Sequence, residues 1–115
     1  EKMKESISDD QFMELAGIDH SPGASEIVRS IRVALSNFSA VRGMDPESIL
    51  PRHRIESDLG IHHLDSLDLV DLVASIEIGT FQMQPDHYRM VAELNKNDGT
   101  VQELAALIMD VFRAP

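Results

Sequence analysis

The side chains best suited to chemistry lie around one serine, Ser66, in the stretch DLGIHHLDSLDLVDLVASIE. Asp65, Asp68 and Asp71 are its acidic neighbours, and His62 and His63 precede it. A serine hydroxyl can cap a helix or attack as a nucleophile, and histidine can take up a proton near neutral pH.

A helix that begins at Ser66 explains part of this pattern. Asp65 or Ser66 can cap the first backbone N–H groups, and negative charge at a helix N-terminus is worth roughly 0.3–1 kcal/mol. Asp71 lies beyond the first turn, however, and its i,i+3 spacing from Asp68 is mildly repulsive. The acids therefore form either a solvated face or a docking surface for basic proteins, to which Glu77 also belongs.

Acidic residues dominate the whole region from 44 to 86. Only Arg52 and Arg54 oppose nine carboxylates, which are Asp45, Glu47, Glu56, Asp58, Asp65, Asp68, Asp71, Glu77 and Asp86. The net charge of the 115-residue chain is −10. Such a charge disfavours nucleic acid and anionic lipid as partners and favours basic protein surfaces.

The composition favours one domain of packed helices. Aromatic residues make up only 4% of the chain, so the core must consist of aliphatic side chains and methionine. The chain has no cysteine, which excludes disulfides and thiolate chemistry of its own. There is no signal-peptide pattern and no run of about 18 apolar residues, so we expect a cytoplasmic protein without a membrane span.

Hydrophobic periodicity predicts four helices and no strand. The predicted helices cover residues 25–40, 66–78, 85–95 and 101–112, with a long loop over 41–65. We expect Arg29 and Arg32 to fall outside the apolar stripe of the first helix and to be solvated. Four apolar residues should pin the loop to the core, namely Ile49, Leu50, Ile55 and Leu59.

Residues 1–24 are assigned to an N-terminal extension, and residues 25–115 to the main domain. The extension could hold a short helix, because Ser8 and Gln11 have capping-box spacing and Gly17 would end it. The loop at Ser21, Pro22 and Gly23 separates it from the helical pattern that follows.

The order of these elements resembles the acyl carrier protein family. Asp65-Ser66-Leu67 is similar to the attachment motif at the start of that family's second helix, and Asp58-Leu59-Gly60 to the end of the preceding loop. QPDHYRMV resembles the Ile-Pro-Asp stretch before the family's third helix, and TVQELAALI resembles its last helix. The resemblance covers about residues 25–113.

The resemblance implies an all-α, four-helix carrier domain that catalyses no reaction itself. Ser66 would carry 4′-phosphopantetheine, donated by coenzyme A through a phosphopantetheinyl transferase, and acyl groups would travel as thioesters on its thiol. Partners would be acyl-transfer and chain-elongation enzymes of fatty-acid, polyketide or specialised lipid synthesis. Asp65, Asp68, Asp71 and Glu77 would dock their basic surfaces, and the protein would be a monomer.

One departure from the family pattern lies just before Ser66. The family usually has one residue between its Asp-Leu-Gly and Asp-Ser-Leu motifs, whereas Ile61, His62, His63 and Leu64 stand there in this chain. The three extra residues could form an additional turn beside Ser66 or change how partner enzymes approach.

Two other functions and a metal site stay open from the residues alone. The chain could be an acidic helical adaptor for a basic partner, with Ser66 unmodified or phosphorylated. A hydrolase would use Ser66 with His62 or His63, but no nucleophile-elbow motif is present. A metal site could use His53, His62, His63 and Asp65, but their spacing matches no ligand pattern, and we expect no metal.

Overall fold

The computed structural model describes residues 6–21, 23–41, 44–62, 64, 66–76 and 84–113, apart from the side chains of Ser66 and Arg113. Over these ranges the regular secondary structure is helical, and loops and turns connect the helices. It forms α1 (Asp9–Ala16), α2 (Ala24–Phe38), a 3₁₀ turn (Pro46–Ser48), α3 (Ser66–Ala74), α4 (Pro85–Lys96) and α5 (Val101–Arg113). No strand occurs in the described ranges, where a single antiparallel bridge joins Arg54 and Thr100. The prediction of an all-α protein is therefore confirmed.

Local capping explains where the first helix begins and ends. The Ser8 hydroxyl accepts a hydrogen bond from the Gln11 N–H, and the Gln11 side chain accepts one from the Ser8 N–H. Gly17 ends α1 in the left-handed conformation at φ +73°. The capping box and C-terminal glycine predicted from the sequence are thus both confirmed.

The core is built from helices α1 through α5 and from the loop between α2 and α3. Buried apolar side chains come from each of these helices, including Phe12 and Met13 of α1. The predicted loop anchors Ile49, Leu50, Ile55 and Leu59 are all at most 2% exposed, which confirms their role. The burial of Phe12 and Met13 places part of the predicted extension in the same core as α2. The boundary at residue 24 stays a prediction.

The expectation that Arg32 is solvated is wrong. Its side chain has no exposed surface, whereas Arg29 is exposed as expected. Arg32 donates hydrogen bonds from Nη1 to Asp9 Oδ1 (2.8 Å) and from Nη2 to the carbonyl oxygens of Ile7 (3.0 Å) and Glu47 (2.7 Å). Burial lowers the pKa of Arg32, and the Asp9 carboxylate acts in the opposite direction. The buried guanidinium therefore joins α1, α2 and the 3₁₀ turn.

Helix α3 is shorter than its hydrophobic pattern predicts. It ends at Ala74 rather than Ile78. The Ser75 hydroxyl donates to the Leu72 carbonyl oxygen (2.7 Å), and the Ser75 N–H is shared between the carbonyls of Asp71 and Leu72. Serine competes in this way with regular helix bonds, which favours a helix end at this position.

Candidate functional site at the start of α3

Ser66 is the first residue of α3. The chain is anchored on both sides of it, because Leu64 and Leu69 are 2% and 1% exposed. Between these anchors Leu67 is 72% exposed. The backbone at Ser66 is therefore held by buried leucines in a stretch that also reaches the protein surface.

A compact turn over residues 54–61 positions the segment before Ser66. The Gly60 N–H donates to the Glu56 carbonyl (3.0 Å), and the Ile61 N–H donates to the Ile55 carbonyl (3.0 Å). Gly60 has φ +72°, and a Cβ there would lie 3.0 Å from Ala40 Cβ. The backbone conformation therefore favours the glycine of the Asp-Leu-Gly motif, and a side chain in its place would also require Ala40 to shift.

This turn is fixed to the connection between α4 and α5 by Asp98. The Asp98 carboxylate accepts hydrogen bonds from the N–H groups of Glu56 (3.2 Å) and Ser57 (3.1 Å) and from the Ser57 hydroxyl. The Ser57 hydroxyl is the largest cause that lowers the pKa of Asp98, and the positive charge of Arg54 acts in the same direction. Arg54 also donates from Nη1 to the Asp98 carbonyl (2.8 Å). No sequence motif indicated this link.

Some of the residues between the two motifs are buried in the core. Ile61 is 7% exposed and Leu64 is buried, while His62 is exposed and places Nδ1 3.1 Å from Glu56 Oε2. His63 lies outside the described residues. Two of the four intervening residues thus serve as apolar anchors for the approach to α3.

A small open cavity of about 350 Å³ lies beside the first turn of α3. Its lining residues are Phe38, Gly60, Ile61, His62, Leu64 and Asp68. Phe38, at the end of α2, is 46% exposed. The inserted residues therefore form one wall of a cavity next to this turn, which the sequence pattern did not predict.

The predicted docking carboxylates are only partly described. Asp68 is half-buried beside the cavity, and Asp71 is exposed one turn further along α3. Asp65 and Glu77 lie outside the described residues. The exposed Asp71 places a carboxylate on α3 one turn from the exposed Leu67.

The histidines do not gather into a metal site within the described residues. His53 Nδ1 accepts a hydrogen bond from the Leu50 N–H (3.0 Å), and His62 contacts Glu56. Across the described ranges no three potential ligands from histidine, cysteine, aspartate or glutamate lie close enough to hold an ion.

In comparisons with known proteins, no family model, no curated protein and no solved structure matches the chain. The function of the site is therefore inferred from its own residues. None of the helices in the described parts of the chain has the length and apolar character needed to cross a membrane.

Proposed function

We propose that this protein is an acyl carrier protein that carries acyl intermediates on a 4′-phosphopantetheine arm attached to Ser66. The observation that supports the proposal most is the position of the Asp65-Ser66-Leu67 motif. Ser66 begins α3 directly after a long, internally bonded loop that contains Asp58-Leu59-Gly60. In this proposal α2, α3, α4 and α5 form the four-helix carrier bundle.

The start of α3 suits a phosphodiester. Backbone N–H groups at a helix N-terminus favour a negatively charged group, and the exposed Leu67 leaves this turn open to solvent. When bound, the arm would supply a thiol for thioester formation, which this cysteine-free chain lacks. The chain's own contribution is to hold Ser66 in the first turn of an anchored helix. On the transferase, the serine oxygen would then form the phosphodiester bond as the pyrophosphate bond of coenzyme A breaks and adenosine 3′,5′-bisphosphate leaves.

The protein would catalyse no reaction and would act by presentation. A tethered acyl group has a high effective concentration at each enzyme to which the carrier docks. Asp65, Asp68, Asp71 and Glu77 would meet basic surfaces on the transferase and on acyl-transfer and elongation enzymes of fatty-acid, polyketide or specialised lipid synthesis. We also propose that the protein acts as a monomer in the cytoplasm.

A second candidate function is a non-catalytic acidic adaptor. The exposed Leu67 next to the exposed Asp71 favours it, because an apolar side chain bordered by carboxylates can contact a basic protein without any covalent group. In that case the Ser66 hydroxyl would stay free of phosphopantetheine.

Intact-mass spectrometry separates the two functions. The full chain is incubated with coenzyme A and a broad-specificity phosphopantetheinyl transferase, alongside a known carrier protein as the positive control. The carrier function predicts a gain of one phosphopantetheinyl group in the wild type and in Ser25→Ala, which changes an exposed serine on α2. It predicts no gain in Ser66→Ala. An unmodified wild type beside a modified positive control would favour the adaptor.

A further inference from the structure

A second, larger surface groove lies between α4 and α5. Its volume is about 680 Å³, and none of the described residues that line it borders the small cavity beside α3. The apolar part of the lining consists of Met90 and Leu94 on α4 and Ala106 and Leu107 on α5. The proposed carrier function leaves this groove without a role.

These residues give the groove an apolar floor. Met90 and Leu94 are one helical turn apart on α4, and Ala106 and Leu107 of α5 line the same groove. Met90 is 42% exposed, although Val91 beside it is fully buried in the core. Methionine adapts its shape to different partners, so an exposed methionine in such a floor favours a protein ligand.

The rim of the groove is acidic. Among the described residues that line it, the carboxylates are Glu93, Glu103 and Asp110, and Arg54 is the one cation. Arg54 is already hydrogen bonded to the Asp98 carbonyl. Glu103 accepts from the Thr100 N–H (2.8 Å), and Asp110 Oδ2 lies 2.9 Å from Nε2 of the buried His87. These contacts fix two of the carboxylates at the edge without removing the excess of negative charge.

We propose that the groove between α4 and α5 binds an amphipathic basic helix of a partner protein. Aliphatic residues on one face of that helix would contact Met90, Leu94 and Ala106, and flanking lysines or arginines would meet the acidic rim. The lengths agree, because α4 and α5 have 12 and 13 residues and so extend about 18–20 Å, enough for roughly three turns of a partner helix.

Docking at this groove would leave the start of α3 accessible. Among the residues that the structure describes, the two surfaces share no lining residue. A partner helix could hold the protein in an assembly while other proteins reach Ser66. Binding at the groove does not depend on the modification of Ser66.

Two synthetic helical peptides of identical composition test this proposal. In the first, leucines recur at i, i+3, i+4 and i+7 among lysines, and in the second the same residues are scrambled so that no face is apolar. We expect the amphipathic peptide to bind the full-length protein at least about tenfold more tightly than the scrambled peptide does. The changes in amide chemical shift that it causes should map to α4 and α5. Equal binding, no binding at millimolar concentration, or shifts confined to α3 would overturn the proposal.

Charge and steric variants locate the surface independently. Glu93→Lys and Ala106→Arg should each lower the affinity for the amphipathic peptide at least about fivefold, which is the effect expected of a significant interface residue. Both positions are exposed on helices, so the variants should keep the wild-type circular dichroism. Asp71→Lys makes a matched charge change on α3 and should leave the affinity within about twofold. If Asp71→Lys lowers the affinity for the peptide while Glu93→Lys and Ala106→Arg do not, the groove assignment is overturned.

Discussion

The guanidinium of Arg32 lies 2.8 Å from the carboxylate of Asp9 and links α2 to α1. The arginine side chain is fully buried, whereas the Asp9 side chain is 27% exposed. A charged group removed from water depends strongly on its partner, so the stability of the fold should depend on this contact.

Loss of the Asp9 carboxylate should destabilise the protein clearly. Asp9→Ala leaves a buried cation with one acceptor fewer, and we expect the free energy of unfolding to fall by about 1–3 kcal/mol in urea denaturation. Asp10→Ala is the matched control, because it removes an exposed carboxylate from the same helix turn. Equal, small losses in both variants would show that the Arg32–Asp9 contact contributes little.

A second prediction concerns Gly60, in the turn before α3. Alanine at φ +72° should cost about 1–2 kcal/mol from the left-handed conformation alone. Gly17→Ala is the control, since Gly17 has φ +73° and an added Cβ there would meet no atom within 4 Å. Gly60→Ala should therefore lower the free energy of unfolding more than Gly17→Ala. Identical losses would contradict a role for the Ala40 contact.

The pH dependence of stability should reveal the Asp98 link. The pKa of Asp98 is lowered in the fold, mainly by the Ser57 hydroxyl, so its stabilisation is present above the unfolded pKa of about 4. It is lost as the pH falls through the lower, folded pKa. Asp98→Asn should therefore flatten the acid limb of a plot of unfolding free energy against pH.

Asparagine is chosen for this variant because it tolerates the positive φ of +54° that the backbone has at position 98. Asp71→Asn removes the same charge from an exposed position and serves as the control for net charge. An acid limb as steep in Asp98→Asn as in the wild type would mean that this carboxylate does not contribute.

A fourth prediction separates the α3 surface from the groove. Charge at an exposed docking surface acts mainly on the association rate and is screened by salt. Asp71→Lys should slow modification by the transferase, and rising salt should slow the wild-type reaction. Glu93→Lys on α4 should react at the wild-type rate. If the two variants react at equal rates, the acids of α3 have no specific docking role.

Local signals in the sequence predict much of the helical structure. Ser8 with Gln11 marks the start of α1, and Pro85 marks that of α4, because caps and proline act through neighbouring residues. The expectation for Arg32 is wrong because charge does not indicate exposure where a buried side chain has its own partners. Its i+4 spacing from Val28 and i−3 spacing from Leu35 place it on the buried face, and that spacing is the available signal.

The sequence predicts the motif of the candidate site, but it does not predict the cavity and the contacts around that motif. The sequence pattern places Ser66 at a helix start, which α3 confirms. The cavity beside Phe38 and the Asp98 link arise from segments far apart in the chain, and periodicity cannot relate such segments. The attachment of phosphopantetheine and the docking role of the acids stay predictions.

Locating the added group within the protein tests the central claim most directly. Trypsin should release residues 55–89 as one peptide, which contains Ser57, Ser66 and Ser75 as its serines. After reaction with coenzyme A and the transferase, fragmentation of this peptide in a mass spectrometer should place one phosphopantetheinyl group on Ser66. An added group on Ser57 or Ser75, or an unmodified peptide beside a modified control carrier, would contradict the carrier function proposed for Ser66.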